Sequence, residues 1–144
     1  MKDLAERVAD VVAGLDVPPV MALIGFRFRS IGDGSSVTEF DAEARHANPM
    51  GSIHGGVLCD VADAGMGMAH ASTLAPGESF TTLDLKINFV RPFWTGRLVA
   101  TARTVSRGRT VSLLECDIVD DQGRLVARAS STCMTLRGDA AKGR

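Results

Sequence analysis

Between Gly55 and Thr73 the chain reads GGVLCDVADAGMGMAHAST, a run of small and apolar residues interrupted only by Asp60, Asp63, His70 and the closing hydroxyls. Apolar positions fall on nearly every side of a helical wheel, so the segment predicts a helix buried all round. Gly65 and Gly67 each cost such a helix roughly 1 kcal/mol of propensity, which fits a place where another backbone must come close. Pro76 and Gly77 end the segment. A buried helix needs a wall, and the flanking sequence supplies strands to build one.

Leu83, Leu85, Ile87 and Phe89 alternate with Asp84, Lys86 and Asn88, a period of two that predicts a strand. Further strands are expected over 97–105, 110–119 and 124–136. They are separated by the Arg107-Gly108-Arg109 turn and by DDQG at 120–123, where glycine allows positive φ. Before the helix, residues 21–40 read as two strands around Gly32-Asp33-Gly34, and 41–56 as a long loop without period, which suggests function. Leu4, Val8, Val11 and Val12 predict a short amphipathic helix within 2–14, which Pro18 and Pro19 break off. The order is helix, two strands, buried helix, four strands, an α+β arrangement with the sheet wrapped around the helix. Residues 1–144 are expected to form one domain, with 1–19 as N-terminal helix and linker and 138–144 as a frayed tail. One helix cannot cover both faces of six strands, which makes dimerisation attractive.

Charge and cysteine usage exclude several classes. A net charge of −1 lacks the basic footprint of nucleic-acid binding, and no apolar run is long enough to span a membrane. The N-terminal residues mix charges into a helical pattern, unlike a signal peptide. Cys59, Cys116 and Cys133 are odd in number and widely spaced, which suits free thiols, a reducing compartment and hence the cytoplasm. No metal-ligand spacing involves His46 or His70, which read as ordinary polar positions, so no metal and no cofactor are expected.

The chemistry is expected around Asn48, His54-Gly55-Gly56 and Asp63. At a helix start, the N–H groups of Gly55 and Gly56 would be unpaired and backed by the helix dipole, able to hold a developing oxyanion. A two-glycine helix start is equally compatible with plain packing. A carboxylate inside an apolar helix is costly unless hydrogen-bonded or set in a polar cleft, which makes Asp63 a candidate nucleophile or base. Neighbouring hydroxyls could also satisfy it. Asp60 is the rival, but the helix dipole explains an acid in the first turns. Gly55 and Asp63 are eight residues apart, about 12 Å along a helix axis at ~1.5 Å per residue. Acting on one carbon, they must therefore come from two copies of the chain.

NPMGSIHGGVLCDVADAGMGMA, LDLKINFVRPFWTGRL, the SRGR turn and GRLVARASSTCMTL together resemble the hotdog-fold thioesterases of the phenylacetyl-CoA thioesterase branch, over residues 20–137. The resemblance implies a hotdog fold: a long central helix wrapped by a six-stranded antiparallel sheet, in dimers that pair edge to edge and commonly form dimers of dimers. It implies Asp63 as catalytic carboxylate and Gly55 as backbone donor to the thioester carbonyl. Asn48 would position water or thioester, and His54 would support the loop. A hydroxyl on the following strand would assist the carboxylate, Thr82 matching best and Thr81 next. A sister branch places Glu where Asp63 stands.

For coenzyme A, which is part of the substrate, the Arg107-Gly108-Arg109 turn offers two guanidiniums to phosphates, with Arg91 a second candidate; a solvated hairpin tip is as good an account of the turn. The expected function is hydrolysis of an aryl- or medium-chain acyl-CoA by a homo-oligomer. The alternatives are a non-catalytic acyl-CoA binding module and a hydratase or dehydratase on the same fold. A cleft near Met66 and Met68 could take either kind of acyl group, although methionines serve packing well.

Overall fold

A computed structural model of the chain describes residues 2–144. The central helix, α3 (Gly55–Ala71), lies against one six-stranded sheet in the order β1-β2-β4-β5-β6-β3, every neighbouring pair antiparallel. The strands are β1 (Phe26–Gly32), β2 (Ser35–Ala42), β3 (Ser79–Phe89), β4 (Gly96–Ser106), β5 (Val111–Asp120) and β6 (Leu125–Leu136). This is the hotdog arrangement. Leu58, Val61, Ala62, Met66 and Ala69 of α3 pack onto Phe40, Leu98, Ala100, Leu114, Cys116 and Ile118, the inward half of each strand's alternation.

The glycines of α3 face side chains rather than a neighbouring backbone. A Cβ at Gly67 would meet the Phe80 ring at 3.2 Å, while Gly65 lies beside the Ser36 and Thr38 hydroxyls. Ser36 Oγ donates to the Gly65 carbonyl at 2.7 Å, so the helix is pinned to β2 by a buried hydrogen bond.

The N-terminal helix is α1 (Leu4–Val12), started by a reciprocal Asp3–Glu6 capping box. Pro18 and Pro19 do more than break it. Pro19 opens a second helix, α2 (Pro19–Ile24), as its first residue, where its missing N–H costs nothing, and Gly25 closes it at φ 93°. The first strand therefore starts at Phe26 and not at Met21. The β1–β2 hairpin turns through Asp33 and Gly34, both at positive φ, as its two-residue loop demands.

One further expectation changes. The alternation on β3 is interrupted at Leu83, which a bulge leaves unpaired between Thr82 and Asp84 and which is exposed. The C-terminal residues Gly138–Ala141 form an exposed 3₁₀ turn. Ion pairs line part of the outer face of the sheet: Glu39 is held by Arg27, Arg29 and Arg97, and Arg103–Glu115 and Arg128–Asp117 continue the pattern. Exposed apolar side chains lie on and after β3, at Leu83, Phe89, Val90 and Trp94, and also at Val105, Val111 and Leu113 on β4 and β5 and at Leu23 and Met50.

No helix among the described residues is long and apolar enough to cross a membrane.

Candidate active site

The loop between β2 and α3 is built on hydrogen bonds of its own. His46 is buried; its Nδ1 accepts from the Glu43 N–H and its Nε2 lies 2.8 Å from the Ile24 carbonyl oxygen. That makes it a structural anchor rather than an ordinary polar position. Ala47 and Ile53 bridge, and the Asn48–Ser52 turn between them is closed by the Asn48 side chain. Its Oδ1 accepts from the Met50 N–H at 2.9 Å, and its Nδ2 donates to Ser52 Oγ at 3.1 Å. Ser52 escaped the sequence reading; its signal was its place in the Asn48 turn.

The turn delivers the chain to the start of α3 with His54 as N-cap. His54 Nδ1 accepts the Gly56 N–H at 2.9 Å, a capping bond in which an imidazole replaces the usual hydroxyl or carboxylate. Gly56 is thus not the free donor expected of it. The Val57 N–H is also taken, by the His54 carbonyl. Among the described residues, Gly55 is the one whose N–H has no hydrogen-bond partner at this helix start, where the dipole is positive. The Phe89 ring packs over it so closely that a Cβ on Gly55 would stand 2.6 Å from the ring.

Asn48, Ser52, Gly55, Leu58, Phe89 and Arg91 line a cavity of about 310 Å³. Of the candidate phosphate ligands, Arg91 is therefore the one beside Gly55. Arg107 lies at the far end of the helix, near His70, some 22 Å along the axis from Gly55 at ~1.5 Å per residue. Its Nη1 donates to the Gly108 carbonyl at 2.7 Å and to Ser112 and Thr135. Gly108 is required by its own hairpin, since a Cβ there would sit 2.0 Å from the Val111 carbonyl oxygen. Arg109 is exposed at the same tip.

Asp63 lies midway along α3, and it is exposed rather than buried. Gly56, Asp60 and Asp63 form a stripe at i, i+4 and i+7 that the single sheet leaves open. The Thr82 hydroxyl, carried across by β3 just before its bulge, donates to Asp63 Oδ1 at 3.4 Å; of Thr81 and Thr82 it is the one that reaches the carboxylate. Crowding by its neighbours pushes the Asp63 carboxyl above its ordinary value. The Thr82 hydrogen bond pulls it back, and the charge of Asp60 adds to the rise. Beneath Thr82, Cys133 Sγ lies 3.9 Å from its hydroxyl.

One copy of the chain therefore presents two distinct features on the same helix. The first is a free N–H over an open cavity; the second is a proton-hungry carboxylate facing outward. Both belong to residues 55–71, so their axial separation is that of eight helical residues, about 12 Å. Among the described residues no group of three or more His, Cys, Asp or Glu side chains converges as a metal site would need.

The sequence profile of the Thioesterase superfamily matches residues 50–127, the stretch that carries Gly55 and Asp63. Acyl-coenzyme A thioesterase 13 of Pongo abelii is 30% identical over 107 residues, covering 72% of this chain and 74% of its own. The 1,4-dihydroxy-2-naphthoyl-CoA hydrolase of Listeria monocytogenes is 25% identical over 76% of this chain and 89% of its own. Among solved structures, a phenylacetic acid degradation-related protein of Ralstonia eutropha JMP134 superposes with a TM-score of 0.80 at 33% identity, covering 88% of this chain and 98% of that one.

Proposed function

The chain belongs to the thioesterase superfamily and is a thioester hydrolase, and from that premise we propose that it hydrolyses aryl- or medium-chain acyl-CoA to the free acid and coenzyme A as a homodimer. The observation that carries this reading is the pairing of one uncommitted donor, the Gly55 N–H, with one outward carboxylate of raised pKa, Asp63. The apolar surface along β3 and its unpaired edge would bring two copies together on that side. Gly55 of one copy would then polarise the thioester carbonyl and hold the oxyanion, while Asp63 of the other delivers the attack, directly or through water. Asn48 and Ser52 would shape the donor side, His54 caps the helix start, and Arg91, on the wall of the same cavity, would meet the coenzyme's phosphates. Two dimers would pair to give a tetramer.

The direct test is release of free coenzyme A from a panel running from acetyl- to decanoyl- and phenylacetyl-CoA. Turnover of the aryl and medium-chain members is expected; binding without release would replace hydrolysis by an acyl-CoA binding role.

The electrostatics add a pH prediction. Asp63 must be ionised to act, so kcat/KM should rise with pH through its raised pKa. Thr82 stabilises the ionised form. Thr82→Val removes that bond, raises the pKa further and should move the acid limb to higher pH while leaving a plateau above it. A limb that stays in place or moves to lower pH would separate Thr82 from the carboxylate.

A further inference from the structure

Of residues 43–56, which carry the chain from β2 into the first turn of α3, only His46 and Ile53 are buried. Ile53 is an apolar plug of the core, with its N–H on the Phe93 carbonyl. His46 is a different case, since an imidazole taken out of water must find partners for both its nitrogens. Its Nδ1 accepts the Glu43 N–H, so Nε2 carries the proton and donates to the Ile24 carbonyl at 2.8 Å. The ring also packs against Phe40, with centroids 4.8 Å apart. The two hydrogen bonds differ in reach. The first closes a local turn, whereas the second crosses 22 residues to the last residue of α2.

That carbonyl is an orphan of the helix end, and Arg45 reaches the same place. Its Nη1 donates to the Leu23 carbonyl at 2.8 Å and its Nη2 to that of Ile24 at 3.3 Å. Gly25 makes room for it, because a Cβ there would stand 2.7 Å from that Nη2. On its other side His46 holds the start of α3. Its backbone carbonyl accepts the His54 N–H at 2.9 Å, and His54 in turn caps Gly56. One buried residue thus joins the end of α2, through its ring, to the N-cap that precedes Gly55, through its backbone.

We propose that His46 is a positioning residue for the Gly55 N–H: tied to α2, it sets the angle at which the loop enters α3 and hence where that donor points. The inference rests on the reading of Gly55 as the oxyanion donor. Such a donor works at about 2.7–3.1 Å from the developing charge, so a small tilt of the helix entry matters. The other polar side chains beside it bond locally, Asn48 and Ser52 within their own turn and His54 to Gly56.

The two bonds of the ring can be removed separately. Asparagine sets an oxygen near the place of Nδ1, which keeps the Glu43 bond but falls short of Ile24. Glutamine sets an amide nitrogen near the place of Nε2 and keeps the Ile24 bond. His46→Asn should lower kcat about tenfold with KM changed less than about twofold, within the roughly hundredfold that a misplacement of about 1 Å can cost. His46→Gln should stay within about threefold of wild type. A purely structural His46 would cost the same factor in any background. In Gly55→Pro, which already lacks the donor, His46→Asn should instead change kcat/KM by less than about twofold. Independently of turnover, hydrogen exchange of the His54 amide should be about tenfold faster in His46→Asn and near wild type in His46→Gln. The Met66 amide, in the middle of α3, should exchange alike in all three proteins.

Losses that multiply in the Gly55→Pro background, a glutamine variant no better than asparagine, or Met66 exchange that rises with that of His54 would overturn the assignment while leaving hydrolysis in place. A wild type that releases no coenzyme A would remove the hydrolase reading. Faster His54 exchange in His46→Asn alone would then still uphold His46 as the residue that sets the helix entry.

Discussion

Asp63→Asn is expected to slow release of coenzyme A by about a hundredfold or more at unchanged oligomeric state, the scale typical of losing a positioned acid or base. The substitution keeps the side chain's shape and its reach to Thr82 but removes the charge whose pKa the site raises. A comparable loss, about 10²–10³-fold, is expected from removing one oxyanion donor, and the local geometry allows that to be done cleanly. Gly55 is the first residue of α3, a position where proline is well tolerated, and His54 before it sits at φ −64°, ψ 128°, the extended region that a following proline requires. Gly55→Pro therefore deletes the one N–H that is free, and the Phe89 ring, 56% exposed as a residue, has room to swing aside. The two variants together test the site's division between copies. In randomly mixed dimers, half pair one chain of each kind, and each such dimer regains one intact site, built from Gly55 of the Asp63→Asn chain and Asp63 of the Gly55→Pro chain. Activity should return to about a quarter of wild type after co-refolding. Two inactive variants that stay inactive when mixed would place both residues in one chain's site, against the 12 Å that the helix puts between them, or would leave one of them outside the chemistry.

The fold was legible because two periods carry it. The alternation in β3 and the long, mostly small and apolar run of α3 each have one reading, and a helix that apolar has to be wrapped. What escaped was set by contacts between distant residues. The α2 helix is six residues long, too short for a period, and its only marks were Pro19 and Gly25 at its ends. Leu83 fits the alternation perfectly and is displaced by a bulge directly after Thr82, the residue that reaches Asp63. The candidate residues Gly55 and Asp63 could be picked out as a donor and a carboxylate, but not their states. Whether Gly56 is free depends on the His54 rotamer, and whether Asp63 is exposed depends on how far one sheet can curl. Arg91 and Arg107 looked alike as phosphate ligands until the topology put one beside Gly55 and the other at the far end of the helix.

His70 is where burial overturned the plainest expectation, and it should make the protein acid-labile well above the range in which its carboxylates titrate. The ring is fully buried near the end of α3, edge-on to Phe80, with Nε2 3.3 Å from the Thr135 hydroxyl and Nδ1 without a partner. Burial holds its pKa down, from 6.5 to about 4; the Arg107 guanidinium works in the same direction and Glu78 opposes them. Neutral His70 is thus the native form. As pH falls from 6.5 towards 4 the unfolded chain takes up a proton there that the folded chain refuses, so stability falls with pH across that window, by up to about 3 kcal/mol. The lowered carboxylates Asp41, Asp84 and Asp117 lose their contributions only near and below their ordinary values, close to pH 4. Asp63 acts in the opposite sense, because its raised pKa favours proton uptake by the folded state. The wild-type slope is therefore the difference of two opposed effects, and variants separate them. Urea midpoints measured between pH 7 and 4 should fall more steeply in Asp63→Asn than in wild type. In His70→Gln, whose amide can still meet Thr135, they should flatten. A His70→Gln slope as steep as wild type would mean that the imidazole takes up its proton inside the fold, with Thr135 and the neighbouring Glu78 outweighing burial and Arg107.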